Sequence, residues 1–141
     1  MGILAGDPLP VGAEAPLFEA RDETGALVRL ADLRGRAVVL HFYPGDDTRI
    51  CTEQLCEVRD HYEALRATGA AVYGVNPFGA ASHASFRAKF GFHFPLLVDE
   101  GRRIMRAYRC GRFIVARTVY VISADGRIAF AQRGRPPVSA Y

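Results

Sequence analysis

The stretch Ala37-Val38-Val39-Leu40-His41-Phe42-Tyr43-Pro44-Gly45-Asp46-Asp47-Thr48-Arg49-Ile50-Cys51-Thr52-Glu53-Gln54-Leu55-Cys56 decides how the chain reads. Its first six residues form an apolar run of strand length, the pattern of a central strand covered on both faces. Pro44 to Thr48 reads as a loop. From Cys51 the period changes. Leu55, Val58, Tyr62 and Leu65 recur at three- and four-residue steps, while Glu53, Glu57, Arg59, Asp60 and Glu63 take the opposite face. The spacing predicts one amphipathic helix from Cys51, capped by Gly69.

The flanking sequence extends this pattern in both directions. Upstream, Leu17 to Arg21 and Leu27 to Leu30 flank the turn Asp22-Glu23-Thr24-Gly25, which predicts an N-terminal β-hairpin. Downstream, a strand is expected over Ala71–Val75, a helix over Ala81–Phe90 ended by Gly91, and a short strand over Phe94–Val98. A short helix over Arg102–Tyr108 and two strands, Val119–Ile122 and Ile128–Ala131, joined at Ala124-Asp125-Gly126, complete the order. Alternating strands and helices mean an α/β sheet with right-handed crossovers, and the closing hairpin adds an antiparallel edge. No repeat, low-complexity stretch or linker divides residues 1–141, so a single domain is expected.

Composition bounds the function. The chain has 141 residues, 50% hydrophobic and 23% charged, with a net charge of +3. That length buries a real core without disulfide staples, and the balance argues against global disorder. The charge is lopsided: residues 1–99 carry 9 basic and 13 acidic side chains, whereas residues 100–141 carry 9 arginines against Glu100 and Asp125. No aromatic interleaving or nucleic-acid module accompanies those arginines, so no nucleic-acid partner is expected. No run approaches the roughly 20 apolar residues of a membrane span. The N-terminal residues lack the pattern of a secretory signal, and Gly6 leaves a myristoylation motif incomplete. Three cysteines cannot all pair within one chain, which favours a reducing compartment, the cytoplasm.

Cys51 falls where a buried strand hands over to a helix, the carboxyl-end position at which open α/β sheets place their sites. Backbone N–H groups in a helix's first turn lack intrahelical partners and carry partial positive charge. Both favour a thiolate, so Cys51 is a nucleophile by placement. By position alone, a buried structural cysteine is an equal reading. Thr48, three residues earlier, can cap the helix or hold a substrate oxygen beside the sulfur. Pro44 can shield the sulfur from water. The spacing Pro-x-x-x-Thr-x-x-Cys is more specific than any of its members.

Pro44…Thr48…Cys51 resembles the signature of the peroxiredoxins, and Phe42 to Cys56 is similar to the active-site stretch of their bacterioferritin-comigratory, or PrxQ-like, subgroup. The resemblance runs from about Gly12 to Gly134. It includes Gly12-Ala13-Glu14-Ala15-Pro16, Gly74-Val75, Phe94-Pro95-Leu96-Leu97 with Asp99, Arg117-Thr118 and Asp125-Gly126. It implies a thioredoxin-like fold with an N-terminal β-hairpin extension and a central mixed sheet flanked by helices. It implies an atypical two-cysteine peroxidase acting on hydrogen peroxide and organic hydroperoxides. Cys51 is then the attacking thiolate, which becomes a sulfenic acid. Thr48 and Arg117 would contact the peroxide, Gln54 would support Arg117, and Pro44 would wall the pocket. Cys56 would resolve the sulfenic acid as an intramolecular disulfide, reduced in turn by thioredoxin or a similar dithiol. Neither cofactor nor metal is implied, and Cys-x4-Cys lacks a second ligand pair for zinc.

Five residues of α-helix rise about 7.5 Å and turn roughly 140°, whereas a disulfide wants its Cα atoms within about 7 Å. Closing Cys51 onto Cys56 therefore requires the helix to unwind. Several residues depart from the subgroup pattern. Ile50 stands where glycine is usual, Arg49 stands where proline is frequent, and Cys110 matches no family position, so it reads as a spare thiol, with an alternative resolving or intersubunit thiol as the second reading. The family's C-terminal helix is expected to be absent, because Pro136 and Pro137 interrupt the last residues. The sheet face under that helix is then expected to be open, or covered by another subunit in a weak dimer, or left bare in a monomer. Two readings compete on the same fold. One is a protein thiol–disulfide oxidoreductase, which usually carries Cys-x-x-Cys. The other is a non-enzymatic redox sensor or binding module using the basic C-terminal segment.

Overall fold

Strand and helix alternate along the chain as β1 (Glu19–Asp22), β2 (Leu27–Arg29), β3 (Val38–Phe42), α1 (Arg49–Asp60), α2 (Tyr62–Ala67), β4 (Ala71–Asn76), α3 (Ala80–Phe90), β5 (Leu96–Val98), α4 (Arg103–Ala107), β6 (Thr118–Ile122) and β7 (Ile128–Arg133). The structure is a computed structural model that describes residues 6–141. Short 3-10 turns lie at Leu30–Leu33, Glu100–Arg102 and Val138–Ala140. The strands form one seven-stranded sheet in the order β2-β1-β5-β4-β3-β6-β7. β3, β4 and β5 are parallel to one another, and every other pairing is antiparallel. The expected mixed sheet, N-terminal hairpin and antiparallel closing edge are all present.

Every residue of β3 is buried, because both faces of the sheet are covered. Val38, Leu40 and Phe42 point into one core, with Tyr73 and Val75 of β4, Tyr120 of β6, and Ile104, Met105, Tyr108 and Cys110 on and after α4. Val39 points into the other, with Cys51, Leu55 and Val58 of α1, Leu65 of α2, Phe86 of α3 and Val119 of β6. Tyr43, just past the strand, joins that second core. The buried side of α1 is Cys51, Gln54, Leu55 and Val58, one face of a 3.6-residue period.

Topology positions the site. Parallel crossovers put the start of α1 at the carboxyl end of β3. β6 runs antiparallel to β3 and pairs Thr118 with Phe42. Arg117, one residue before Thr118, therefore sits at the same end of the sheet as the β3–α1 loop. The loop itself is tight: a Cβ on Gly45 would come 2.9 Å from the Phe78 ring.

Two expectations are corrected. The single helix from Cys51 to Gly69 is two helices, broken at His61 (φ −106°, ψ 7°). The His61 ring Nδ1 lies 2.9 Å from the Glu57 carbonyl, and its backbone N–H is shared between the Glu57 and Val58 carbonyls, so the regular ladder ends there. The break leaves Tyr62 stacked near His93 and Phe94, with ring centroids 6.0 and 6.2 Å away. The second correction concerns the sheet face expected to be open. Residues 136–141 lie along it instead: Val138 is buried in the second core, and Tyr141 packs on Phe130 and places its hydroxyl 2.8 Å from His41 Nε2. A single 3-10 turn, Val138–Ala140, follows the two prolines and carries this packing.

Candidate active site

α1 begins with Thr48 at its N-cap and Cys51 in its first turn. The helix starts two residues earlier than its apolar period suggests, since Arg49 and Ile50 are exposed and carry no period signal. The Thr48 side chain makes no capping hydrogen bond; its backbone carbonyl instead accepts from the Thr52 N–H at 2.8 Å. Of the two roles open to Thr48, capping is excluded. Thr48 is exposed. Pro44 is half-buried at the end of β3.

Cys51 is fully buried. The Arg117 guanidinium bridges it to the helix: Nη2 donates to Cys51 Sγ at 3.1 Å, and Nη1 donates to Gln54 Oε1 at 2.7 Å. Gln54 and Cys51 are three residues apart on one helical face, so one planar fork reaches both. This geometry singles out Arg117 among the 17 arginines of the chain. Because Oε1 is committed to Arg117, the amide orientation of Gln54 is fixed, and its buried Nε2 has no hydrogen-bond partner. The Arg117 cation and the first turn of α1 thus meet at one sulfur, an arrangement that offers donors to an oxyanion formed next to it.

Cys56 lies on the same unbroken helix, half-buried against the second core. Cys110 lies across the sheet from both, fully buried in the first core. Burial pushes its thiol up to about 12, against the opposing pull of Thr118 and Arg133. Its S–H points to the Tyr108 carbonyl at 3.4 Å. The structure therefore brings together Cys51, Gln54 and Arg117, sets Pro44 and Thr48 on the loop beside them, and separates Cys110 from them. Arg102, Arg103, Arg106, Arg109 and Arg112 form an exposed basic face, and none of them makes an ion pair among the described residues.

The AhpC/TSA family pattern matches residues 11–131. The chain belongs to that family. It is similar to a Mycobacterium tuberculosis protein named as a peroxiredoxin, with 37% identity over 133 residues, which is 88% of this chain and 85% of the relative. The chloroplastic peroxiredoxin Q of rice (Oryza sativa subsp. japonica) is 37% identical over 123 residues, 84% of this chain. The chain spans little more than half the length of that plant relative, 57%. Among solved structures, the peroxidoxin BcpB of Mycobacterium tuberculosis superimposes with a TM-score of 0.85 at 27% identity, covering 94% of this chain and 90% of that one. The thioredoxin-like peroxiredoxin fold and the peroxiredoxin Q-type resemblance read from the sequence both hold.

Sequence reasoning passed over one group at this end of the sheet. Asp46, in the same loop, meets Tyr43, Asn76, Ser82 and His83. The available signal was the step from His83 to Phe86, which puts a histidine on the buried face of α3.

Proposed function

We propose that the chain is a thiol peroxidase that reduces hydrogen peroxide and organic hydroperoxides. The observation that carries this reading is the Arg117 fork holding Cys51 Sγ and Gln54 Oε1 together at the start of α1. The Cys51 thiolate attacks one peroxide oxygen, the O–O bond breaks, and the leaving oxygen takes a proton to become water or an alcohol. Cys51 is left as a sulfenic acid. Arg117, the first-turn N–H groups and the Thr48 hydroxyl offer donors to the oxygen on which charge develops. The Cys56 thiol then displaces the sulfenic hydroxyl as water, forming a Cys51–Cys56 disulfide. A protein dithiol, thioredoxin or a similar donor, supplies two electrons and two protons to restore both thiols.

Both cysteines sit five residues apart on an intact helix, so the resolving step requires the first turns of α1 to unwind. The full burial of Cys51 disfavours the alternative of a general protein thiol–disulfide oxidoreductase, whose thiol must meet a bulky disulfide. A reducing compartment, the cytoplasm, suits a chain with three thiols of which two cycle. The whole of residues 1–141 acts as one domain in this reading. Among the described residues, no helix is long and apolar enough to cross a membrane.

The test follows peroxide consumption with dithiothreitol or thioredoxin. Cys51→Ser abolishes consumption, and Cys56→Ser retains one stoichiometric turnover but loses disulfide formation. Consumption that survives Cys51→Ser refutes the assignment.

A further inference from the structure

The loop between β3 and α1 carries a second polar group that the thiol chemistry leaves unused. The Asp46 side chain is only 3% exposed and that of His83 is fully buried. Asp46 Oδ1 accepts from the Tyr43 hydroxyl at 2.7 Å and from Asn76 Nδ2 at 3.2 Å. Asp46 Oδ2 accepts from the Ser82 hydroxyl at 2.7 Å and from His83 Nδ1 at 2.6 Å. The other ring nitrogen, His83 Nε2, lies 2.9 Å from the Leu97 carbonyl oxygen. A carbonyl oxygen only accepts, and so does an ionised carboxylate. With acceptors on both sides, the ring must donate from both nitrogens, which only the imidazolium does. A neutral tautomer would press a lone pair against one of the two oxygens.

The carboxylate is kept ionised by its neighbours. Burial alone would push the Asp46 carboxyl up, but the hydrogen bonds from His83 and Ser82 outweigh it and hold the carboxyl below its ordinary range. Burial, with Asp46 next, drives the Tyr43 phenol far upward, so Tyr43 stays a donor. One carboxylate thus ties the loop to the ends of β3 and β4 and to the first turn of α3, while the ring passes the connection on to β5. Tyr43 shares its apolar cluster with Cys51.

We propose that Asp46 and His83 form a buried carboxylate–imidazolium pair that clamps the Pro44–Thr48 loop to the sheet and α3, and so positions Cys51 under the Arg117 guanidinium. Loss of the His83 ring proton to solvent releases the clamp. Both are positioning residues, since neither hydrogen-bonds the sulfur. The pair also compensates a buried negative charge that would otherwise oppose a thiolate on the neighbouring helix. Among the described residues, no Lys or Arg forms an ion pair with Asp46. The groups facing the pair are Ser82 of α3 and Tyr43, just past β3; Cys51 of α1 and Glu23 of the hairpin turn act on Tyr43 in turn, and Glu23 is joined to Arg87 of α3 at 2.6 Å. Arg87 is further committed to the Phe92 and His93 carbonyls. Lys89 lies at the surface on Asp47, at 2.8 Å. The effect on rate rests on the peroxidase reading; the protonation state of the pair does not.

Ring nitrogen-15 NMR of the reduced protein at pH 7 is expected to show N–H protons on both nitrogens of His83, and a titration locates the pH at which one is lost. Stopped-flow oxidation of Cys51 by hydrogen peroxide is expected to slow on the alkaline side with that same midpoint. Asp46→Asn moves the midpoint to lower pH. His83→Gln, which offers only one amine, removes the alkaline fall and lowers the neutral rate about tenfold, the loss of one charge-assisted hydrogen bond. A singly protonated His83 at pH 7, or an alkaline limb unchanged in both variants, overturns the proposal. If His83→Gln fails to fold, the titrations of wild type and Asp46→Asn still decide it. A doubly protonated ring in a protein that consumes no peroxide supports the pair and refutes the peroxidase reading.

Discussion

Replacing Arg117 by alanine removes two contacts made by one side chain, and their consequences separate. The first is the bond from Nη2 to Cys51 Sγ at 3.1 Å. A hydrogen bond to a charged group contributes about 1.5–3 kcal/mol. Lost from the attacking thiolate and the developing oxyanion, that corresponds to roughly a 10- to 150-fold slower oxidation of Cys51. The second is the bond from Nη1 to Gln54 Oε1 at 2.7 Å. Gln54 is 2% exposed and its Nε2 already lacks a partner. Arg117→Ala leaves the whole amide buried and unsatisfied, at about 1–3 kcal/mol of folding stability. Arg117→Ala/Gln54→Ala removes the stranded amide along with the arginine, so its stability loss is smaller than the sum of the single losses. Gln54→Ala alone slows oxidation less than Arg117→Ala, because Gln54 acts through the arginine. Arg117→Lys recovers only part of the rate, since one ammonium cannot reproduce a planar fork. Stopped-flow oxidation by hydrogen peroxide and urea unfolding, applied to all four variants, check these outcomes. An Arg117→Ala rate within threefold of wild type, or fully additive stability losses, refutes the reasoning.

Hydrogen exchange on the oxidised protein should show the amides of the first two turns of α1 losing protection while α3 keeps its own, whereas equal protection in both redox states would mean that no unwinding occurs. Cys110→Ala should leave peroxide turnover unchanged, because the thiol is buried across the sheet and held at about 12; a lost turnover, measured with dithiothreitol, would reassign the resolving thiol. His41 is fully buried and burial lowers it to about 4, with only the Tyr73 carbonyl pulling it back up. The unfolded chain binds that proton near 6.5 and the folded chain does not, so stability should fall as pH drops from 6.5 to 4, by about 3 kcal/mol; a wild-type acid unfolding curve no steeper than that of His41→Gln contradicts this. Reduction by thioredoxin should slow with added salt if the unpaired arginines Arg102, Arg103, Arg106, Arg109 and Arg112 steer an acidic reductant, while oxidation by uncharged hydrogen peroxide should not.

The strand and helix order was legible because it rests on local periodicity. The run at Val38–Phe42 is apolar because both faces of β3 are covered, and Cys51, Gln54, Leu55 and Val58 mark the buried stripe of α1. The break at His61 was not legible, since a single ring competing for the Glu57 carbonyl leaves the apolar period intact on either side. Nor was the seating of Tyr141 on His41, which joins residues 100 positions apart. The site divides in the same way. Cys51 was marked by its place between strand and helix. Arg117 was marked only by family resemblance, because its nearness to Cys51 follows from β6 running antiparallel to β3. Asp46 and His83, 37 positions apart, carry no local sign of each other.

The three cysteines show why spacing alone does not assign a thiol. Cys51 and Cys110 are equally buried, so burial does not separate them. Each also has an arginine within reach: Arg117 Nη2 at 3.1 Å from Cys51, and Arg133 Nη1 at 3.9 Å from Cys110. Backbone and side-chain direction make the difference. Cys51 sits in the first turn of a helix and accepts a hydrogen bond from a guanidinium that is itself held by the same helix face. The Cys110 S–H points at the Tyr108 carbonyl, an acceptor that favours the neutral thiol, and its surroundings are the aromatic and aliphatic side chains of the first core. An anion at Cys110 would lose its hydration, and the pull of Thr118 and Arg133 does not offset that loss, which is the physical content of a thiol held near 12. Cys56 belongs to neither class. On an intact α1 it faces away from Cys51 by more than a third of a turn, and it becomes chemically relevant only when the helix gives way. Its candidacy as the resolving thiol is therefore a statement about the stability of the first turns of α1, whose anchors are Arg117 on Gln54 from one side and the Asp46-clamped loop from the other.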